Sequence, residues 1–436
     1  MNAWILLIVI QPFLAGIFTY LALRSLKLAQ IPSVFGAVAF MFSSYVVTWL
    51  ENGNIIHSYL WLPFAFFAIN KYFNSLLKLR FLFVLIVSLS LAILGGHPQT
   101  AIYIFLAVII FWLYKIWELN KKHILLITKL TFIIFVTLLL TAIQLIPTYD
   151  FYQKSPISLP FAKDVFEKFI LPYQNLVTFL APDFFGHPAS KNFWSEYYGD
   201  LTPYIGVIPL VFAVWAIYRL FKNNKFVRFA TFVSALFILA AVKGPITWFI
   251  TTFELPLLDS TSPARFISIS IFFLVILSAI GLNDLLKNLF EERIIKKFLK
   301  FNFLIAVIYL FLWVFTFIGY YLLEPRGIWE INLSVTRQNL ILPTLMFLSI
   351  PFGILVIKLF ARIKLINKDL LRKLFISGIF AVTLFGGVFY SNKFLPVAPK
   401  KFIFPKHPLF VWLKENAGIN RFYGIDTAKV DFNFPT

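Results

Sequence analysis

The sequence predicts an all-α polytopic membrane protein with roughly twelve transmembrane helices. Three observations carry that expectation. Of 436 residues, 60% are apolar and 13% charged, against about 45–50% and about 25% in soluble domains. The apolar residues gather in runs close to the ~20 residues that a membrane helix requires. The charges fall between those runs, in two sets of opposite character. So much apolar surface cannot be hidden in a water-soluble core, which excludes a soluble enzyme and a disordered chain alike.

Taken in order, spans are expected at 3–23, 31–50, 58–70, 81–95, 100–117, 124–148, 203–218, 229–242, 266–283, 302–323, 339–357 and 374–390. The runs at 58–70, 81–95 and 229–242 are short for a full crossing and should be tilted, broken or re-entrant. The first span has no basic n-region and no small-residue cleavage site, so it does not read as a signal peptide. The 55 Phe and 11 Trp suit lipid-facing surfaces with interfacial anchors. With no cysteine, disulfides, thiolate metal sites and a Cys nucleophile are excluded.

A net charge of +20 would suggest a nucleic-acid partner in a soluble protein. Here it marks loops instead, and no nucleic acid is expected. The segments 24–30, 71–80, 115–123, 219–228, 284–300 and 361–373 hold 22 Lys or Arg against 5 Asp or Glu. The alternate loops, C-terminal tail excluded, hold eight basic and eleven acidic residues. The positive-inside rule places the first set in the cytoplasm and both chain ends outside. Lys129 and Lys358 sit near cytoplasmic span ends, where they can snorkel.

Two domains are expected: a transmembrane domain over 1–390 and the beginning of a small extracytoplasmic α/β domain over 391–436. The second reads as a Pro-rich linker, an amphipathic helix at 407–417 and a strand-like run at Arg421–Ile425. Too little follows to bury a core. An outside N-terminus without a signal segment is also unusual, so the chain is expected to be a fragment lacking material at one or both ends.

Candidate chemistry lies on the outer face, where His57, His97, His187 and His407 all fall. The long outer loop 149–202 carries Asp150, Asp164, Glu167, Asp183, His187, Glu196 and Asp200. Loops of that length are usually functional, although solvated carboxylates would give the same pattern. Within it, Phe161–Leu171 could lie as an interfacial helix. The turn Gly95-Gly96-His97-Pro98-Gln99-Thr100 is more informative. Its glycines permit positive φ or close approach, and Pro98 opens the next helix. His97 and Gln99 would then project at a helix N-terminus, where a phosphate is favoured; a hydrogen-bonded turn is the plain alternative. Glu51, Asn52 and His57 form a second outer cluster able to hold a divalent metal or a sugar hydroxyl. Arg265, in Ser262-Pro263-Ala264-Arg265-Phe266, suits a lipid phosphate or a simple interfacial anchor. No Walker loop, Rossmann fingerprint, HExxH or GxSxG is present.

These segments resemble the bacterial YfhO-type membrane proteins. The resemblance runs in order through Ala39–Tyr45, Ser58-Tyr59-Leu60-Trp61-Leu62-Pro63 and Leu94-Gly95-Gly96-His97-Pro98-Gln99-Thr100. It continues through Leu180-Ala181-Pro182-Asp183-Phe184-Phe185-Gly186, Tyr198-Gly199, Tyr204-Ile205-Gly206, Pro263-Ala264-Arg265-Phe266 and Ala279-Ile280-Gly281-Leu282. The tail, Phe410-Val411-Trp412-Leu413-Lys414 and then Arg421-Phe422, is similar to the start of that family's extracytoplasmic domain.

The family is similar to the GT-C superfamily of membrane glycosyltransferases. The resemblance therefore implies a multi-pass protein of the bacterial cytoplasmic membrane. It would transfer a sugar from a polyprenyl-phosphate carrier to a cell-envelope acceptor, among membrane lipid. His97, Gln99 and Arg265 are the implied carrier-phosphate residues; Asp183, Glu51 and His187 are the candidate catalytic residues, with a divalent metal as a candidate cofactor. Such proteins carry an acidic first outer loop with the usual catalytic aspartate, which this sequence lacks, so no transfer by the chain alone is expected. A transporter or flippase of lipid-linked saccharide, and a non-catalytic scaffold, are the alternatives.

Overall fold

The computed structural model describes every residue except 1, 76, 120–122, 156–165, 196–197, 254, 256–257, 259–261, 320, 322–328, 364–366, 396–406 and 419–436. Among the described residues the chain is helical, with one isolated bridge between Leu171 and Val242. The first half comprises α1 (Asn2–Ser25), α2 (Gln30–Met41), α3 (Ser44–Trp49), α4 (Ile55–Tyr59), α5 (Trp61–Asn74), α6 (Arg80–Leu94), α7 (Pro98–Leu119), α8 (His123–Leu140) and α9 (Ala142–Lys154). The second comprises α10 (Tyr198–Leu201), α11 (Val207–Leu220), α12 (Lys225–Ala241), α13 (Pro245–Thr252), α14 (Ile267–Lys287), α15 (Glu292–Ile318), α16 (Glu330–Ile363) and α17 (Lys368–Phe394).

Among the described residues each expected span overlaps a helix, but the helices differ in reach. Among the described residues, six are long and apolar enough to cross a membrane: Ala3–Ser25, Pro98–Leu119, Pro263–Lys287, Glu292–Ile318, Glu330–Ile363 and Lys368–Phe394. A seventh is counted if α8 and α9, bent by 75°, form one span. The expected twelve is therefore six or seven by length and composition. The shortfall comes from helices that stop early. α2, α5, α6, α11 and α12 run 12, 14, 15, 14 and 17 residues, under the ~20 of a full crossing. The 31–50 run breaks between α2 and α3. There the Ser44 amide donates to the Tyr204 carbonyl (2.8 Å) and the Tyr204 amide to Ser44 Oγ (2.9 Å). Irregular backbone is tolerated inside a bundle when such partners are supplied.

α14 is the centre. It packs on α11, α12 and α2, and 94% of its most apolar window is buried, against 28% for α15. An all-round apolar helix belongs in a core or in lipid, and these two take one place each. Gly281 allows the closest approach: a Cβ there would strike the Phe212 carbonyl oxygen. Some side-chain donors tie neighbouring helices together. Asn70 Nδ2 donates to the Ser25 carbonyl (2.8 Å) and Ser270 Oγ to the Ser234 carbonyl (2.8 Å).

The 149–202 segment is more structured than expected. α9 continues to Lys154, a 3-10 turn spans Tyr173–Phe179, and α10 closes the segment. Of the interfacial helix expected at 161–171, residues 161–165 lie outside the described residues, and the helix is confined to 166–168. Asp164 and Glu196 also lie outside them. The chain divides after Leu395, five residues beyond the expected boundary, because α17 runs on to Phe394. In the second unit, Pro396–Thr436, the expected amphipathic helix is α18 (Pro408–Asn416), with His407 Nδ1 accepting from the Leu409 amide at its start (3.2 Å). The strand-like run Arg421–Ile425 lies outside the described residues.

Candidate functional site

The turn before α7 is built by two glycines with different duties. A Cβ on Gly95 would strike the Ser58 backbone, at 2.8 Å from its nitrogen. Gly96 has φ +85°, the left-handed region, and a Cβ there would meet nothing. This geometry sets His97 at the start of α7, with its amide donating to Ser58 Oγ (3.3 Å). His97 Nδ1 accepts from the Thr100 amide (3.2 Å) and lies 2.8 Å from Thr100 Oγ1. That amide bond uses the Nδ1 lone pair and so assigns the ring proton to Nε2.

The expected meeting of His97 and Arg265 occurs. Nη1 of Arg265 lies 3.4 Å from His97 Nε2 and donates to Gln99 Oε1 (2.9 Å). With the proton on Nε2, two donor edges face the same space. Gln99 is held in turn, its Nε2 donating to the Ser262 carbonyl (2.8 Å) and the Tyr103 hydroxyl (2.7 Å). The Arg265 guanidinium stacks on the Trp49 ring, 4.4 Å from its centroid. Burial, and then the Arg265 charge, push the His97 imidazole down to about 4, so it is neutral at neutral pH.

Sequence reasoning missed the partner that sets the charge here. Arg265 Nε donates to both oxygens of Asp200 (3.0 and 3.1 Å), and Ser262 Oγ donates to Asp200 Oδ2 (2.9 Å). The Asp200 side chain is 1% exposed and that of Arg265 18%. Burial pushes the Asp200 carboxyl up, against the Arg265 charge and hydrogen bonds from Arg265, Ser262 and Trp49. A signal for this existed: an arginine drawn into a bundle end needs a carboxylate, and Asp200 follows the Tyr198-Gly199 pair already singled out.

The candidate catalytic residues do not converge on Arg265. Asp183 is buried in a second cluster. Tyr198 Oη donates to its Oδ1 (2.6 Å), Lys393 Nζ to its Oδ2 (2.5 Å), and Asn339 Nδ2 to its carbonyl (2.8 Å). His187 belongs to the same cluster. Its Nδ1 accepts from the Ala189 amide (3.1 Å), and its ring meets Tyr198 edge-on at 4.8 Å. Burial, with the Lys393 charge and against that of Asp183, pushes its imidazole down to about 4. Both oxygens of Asp183 are engaged and His187 Nδ1 caps a turn, while His187 Nε2 is buried without a hydrogen-bond partner among the described residues. Glu51 is exposed, in the turn after the Trp49 helix, with no hydrogen bond among the described residues. His57 lies in α4, next to the Ser58 that receives the His97 amide.

Among the described residues, no group of three or more His, Asp or Glu is placed to hold a metal ion. No protein-family model, curated protein or solved structure matches the chain.

Proposed function

We propose that this bundle end binds the phosphate of a polyprenyl-phosphate-linked sugar at the extracytoplasmic face of a bacterial cytoplasmic membrane, for transfer of the sugar to a cell-envelope acceptor. The observation that carries the reading is the convergence of His97 Nε2 and Arg265 Nη1, 3.4 Å apart. Asp200 engages the Nε side of the guanidinium, and Nη2 makes no hydrogen bond among the described residues. Phosphate is a natural ligand for an open guanidinium edge beside a helix start. The 22-to-5 charge split supports the outer placement, and the resemblance to YfhO-type proteins supports the chemistry. Twelve crossings, short helices included, remain the arrangement that fits the alternating loops. Glu51 is the carboxylate that this reading offers to an acceptor hydroxyl, because Asp200 and Asp183 are both engaged.

The test is reconstitution in vesicles with a polyprenyl-phosphate-linked radiolabelled sugar, with binding and transfer measured separately. Binding is expected, and its absence refutes the reading. Transfer that disappears in Glu51→Gln while binding persists assigns the base. Labelling of Ser190→Cys, but not Asn367→Cys, by an impermeant thiol reagent is expected from the orientation; the reverse overturns it. One observation favours a second reading, a non-catalytic scaffold: the Arg265–Asp200 pair is complete without a ligand.

A further inference from the structure

Beside the Arg265 cluster lies a cleft of about 1050 Å³ that the proposed phosphate chemistry does not use. Its size is at the upper end of small-molecule sites, about 300–1,000 Å³. One wall is the chain over 167–174; the other is the chain over 243–251, including α13. The walls are tied together. The Leu171 amide donates to the Ala241 carbonyl (2.9 Å), and the Tyr173 hydroxyl donates to the Lys243 carbonyl. A third tie joins the cleft to the ionic cluster, for the Ala264 amide, one residue before Arg265, donates to the Phe169 carbonyl (3.1 Å).

Two large aromatic rings stand open in this cleft, Tyr173 at 59% and Trp248 at 63% exposure. Tyr173 is held by its hydroxyl, and Trp248 is carried on a helix whose start is capped by Thr247, its Oγ1 accepting from the Gly244 amide (2.9 Å). Around them Glu167, Lys168, Gln174 and Lys243 line the cleft, and their side chains make no hydrogen bond among the described residues. Charges of both signs do not select an anion or a cation. Open ring faces with unspent donors and acceptors around them suit a ligand that has apolar C–H faces and many hydroxyls. The ring face is the negative side of the aromatic quadrupole, and the C–H face of a pyranose presents its positive side.

We infer that the cleft between 167–174 and 243–251 is a saccharide-binding subsite, with Tyr173 and Trp248 as stacking platforms. It stands without the carrier-phosphate reading. If that reading also holds, the tie at Ala264 sets the two sites side by side, and the cleft suits the glycan of the acceptor or of the carrier.

The test is isothermal titration of the full chain in nanodiscs with neutral hexasaccharides of glucose, mannose and N-acetylglucosamine. At least one should bind. Its affinity should fall about tenfold or more in Trp248→Ala, recover in Trp248→Phe, and stay unchanged in the Arg265→Gln/Asp200→Asn double variant. No binding by any of the three, or equal binding by Tyr173→Ala/Trp248→Ala and the parent, overturns the proposal. Phosphatidylglycerol that binds instead, and is lost in Lys168→Gln/Lys243→Gln, also overturns it, by making the cleft a lipid-headgroup site.

Discussion

Two buried ionic clusters share the one-turn helix α10, and they differ in what they leave over. In the first, Asp200 of α10 holds the Nε side of Arg265, while Nη1 reaches Gln99 and the neutral His97. In the second, Tyr198 of the same helix donates to Asp183, whose other oxygen takes Lys393 from the end of α17. The first keeps donor edges aimed at common space. The second spends both carboxylate oxygens and surrounds itself with rings, His187 and Phe394 against Tyr198. A buried charge pair is thus weak evidence of function by itself; what separates the clusters is that two donors converge beside Arg265, whereas in the second the only ring nitrogen left over, His187 Nε2, is buried and makes no hydrogen bond among the described residues. Gly199 lies between the two anchors and accepts from Thr48 Oγ1 through its carbonyl (3.2 Å), so α10 is pinned at three successive residues.

The largest effect that separates the clusters should be on stability. Arg265→Met strands a fully buried carboxylate and should cost about 3–5 kcal/mol. Lys393→Met leaves Asp183 its tyrosine and removes a partner that is 24% exposed, so about 1–3 kcal/mol is expected. Unfolding in mixed detergent measures both, and equal costs would erase the distinction. Next come the two glycines behind His97. Gly95→Ala drives a methyl into the Ser58 backbone and should cost about 1–3 kcal/mol and loosen the turn. Gly96→Ala meets only the positive φ penalty, about 1–2 kcal/mol, so the ordering Gly95 over Gly96 is the check.

The pH response should be common to both clusters. His97 and His187 are each held down to about 4 in the fold, against ~6.5 when unfolded. The unfolded chain therefore binds the extra protons between those values. Stability from these two groups is full above about pH 6.5 and drains as pH falls toward 4. Asp200, held up by burial, opposes the trend at the acid end. His97→Gln and His187→Gln should each flatten the slope of melting temperature against pH between about 6.5 and about 4.5; an unchanged slope in both would contradict the buried neutral imidazoles. Nitrogen NMR of labelled histidine should find His97 with its proton on Nε2.

How much of this was legible follows from what hydropathy measures. It located the longer helices but not the short α10 and α13, because an apolar run must be buried somewhere and these two are too short to register as one. It could not separate α14, enclosed by protein, from α15, most of whose surface is open, because lipid and core select the same side chains. Nor could it see the break at Phe42–Ser43, after which Ser44 pairs with the backbone of Tyr204, far away in sequence. At the site, His97, Gln99 and Arg265 were legible from turn chemistry and from an arginine at a span edge. Asp200 was hidden among other loop carboxylates, and the partner of Asp183 was not legible, because pairing with Lys393 across 210 positions leaves no local pattern.

The central claim is that the Arg265 cluster binds and the Asp183 cluster builds. Charge-neutral double variants test it without stranding a charge: Arg265→Gln/Asp200→Asn against Lys393→Gln/Asp183→Asn, each in nanodiscs, with polyprenyl phosphate affinity as the readout. Affinity should fall about tenfold or more in the first and stay within about twofold of the parent in the second. Affinity kept by the first variant, or lost equally by both, would contradict the account.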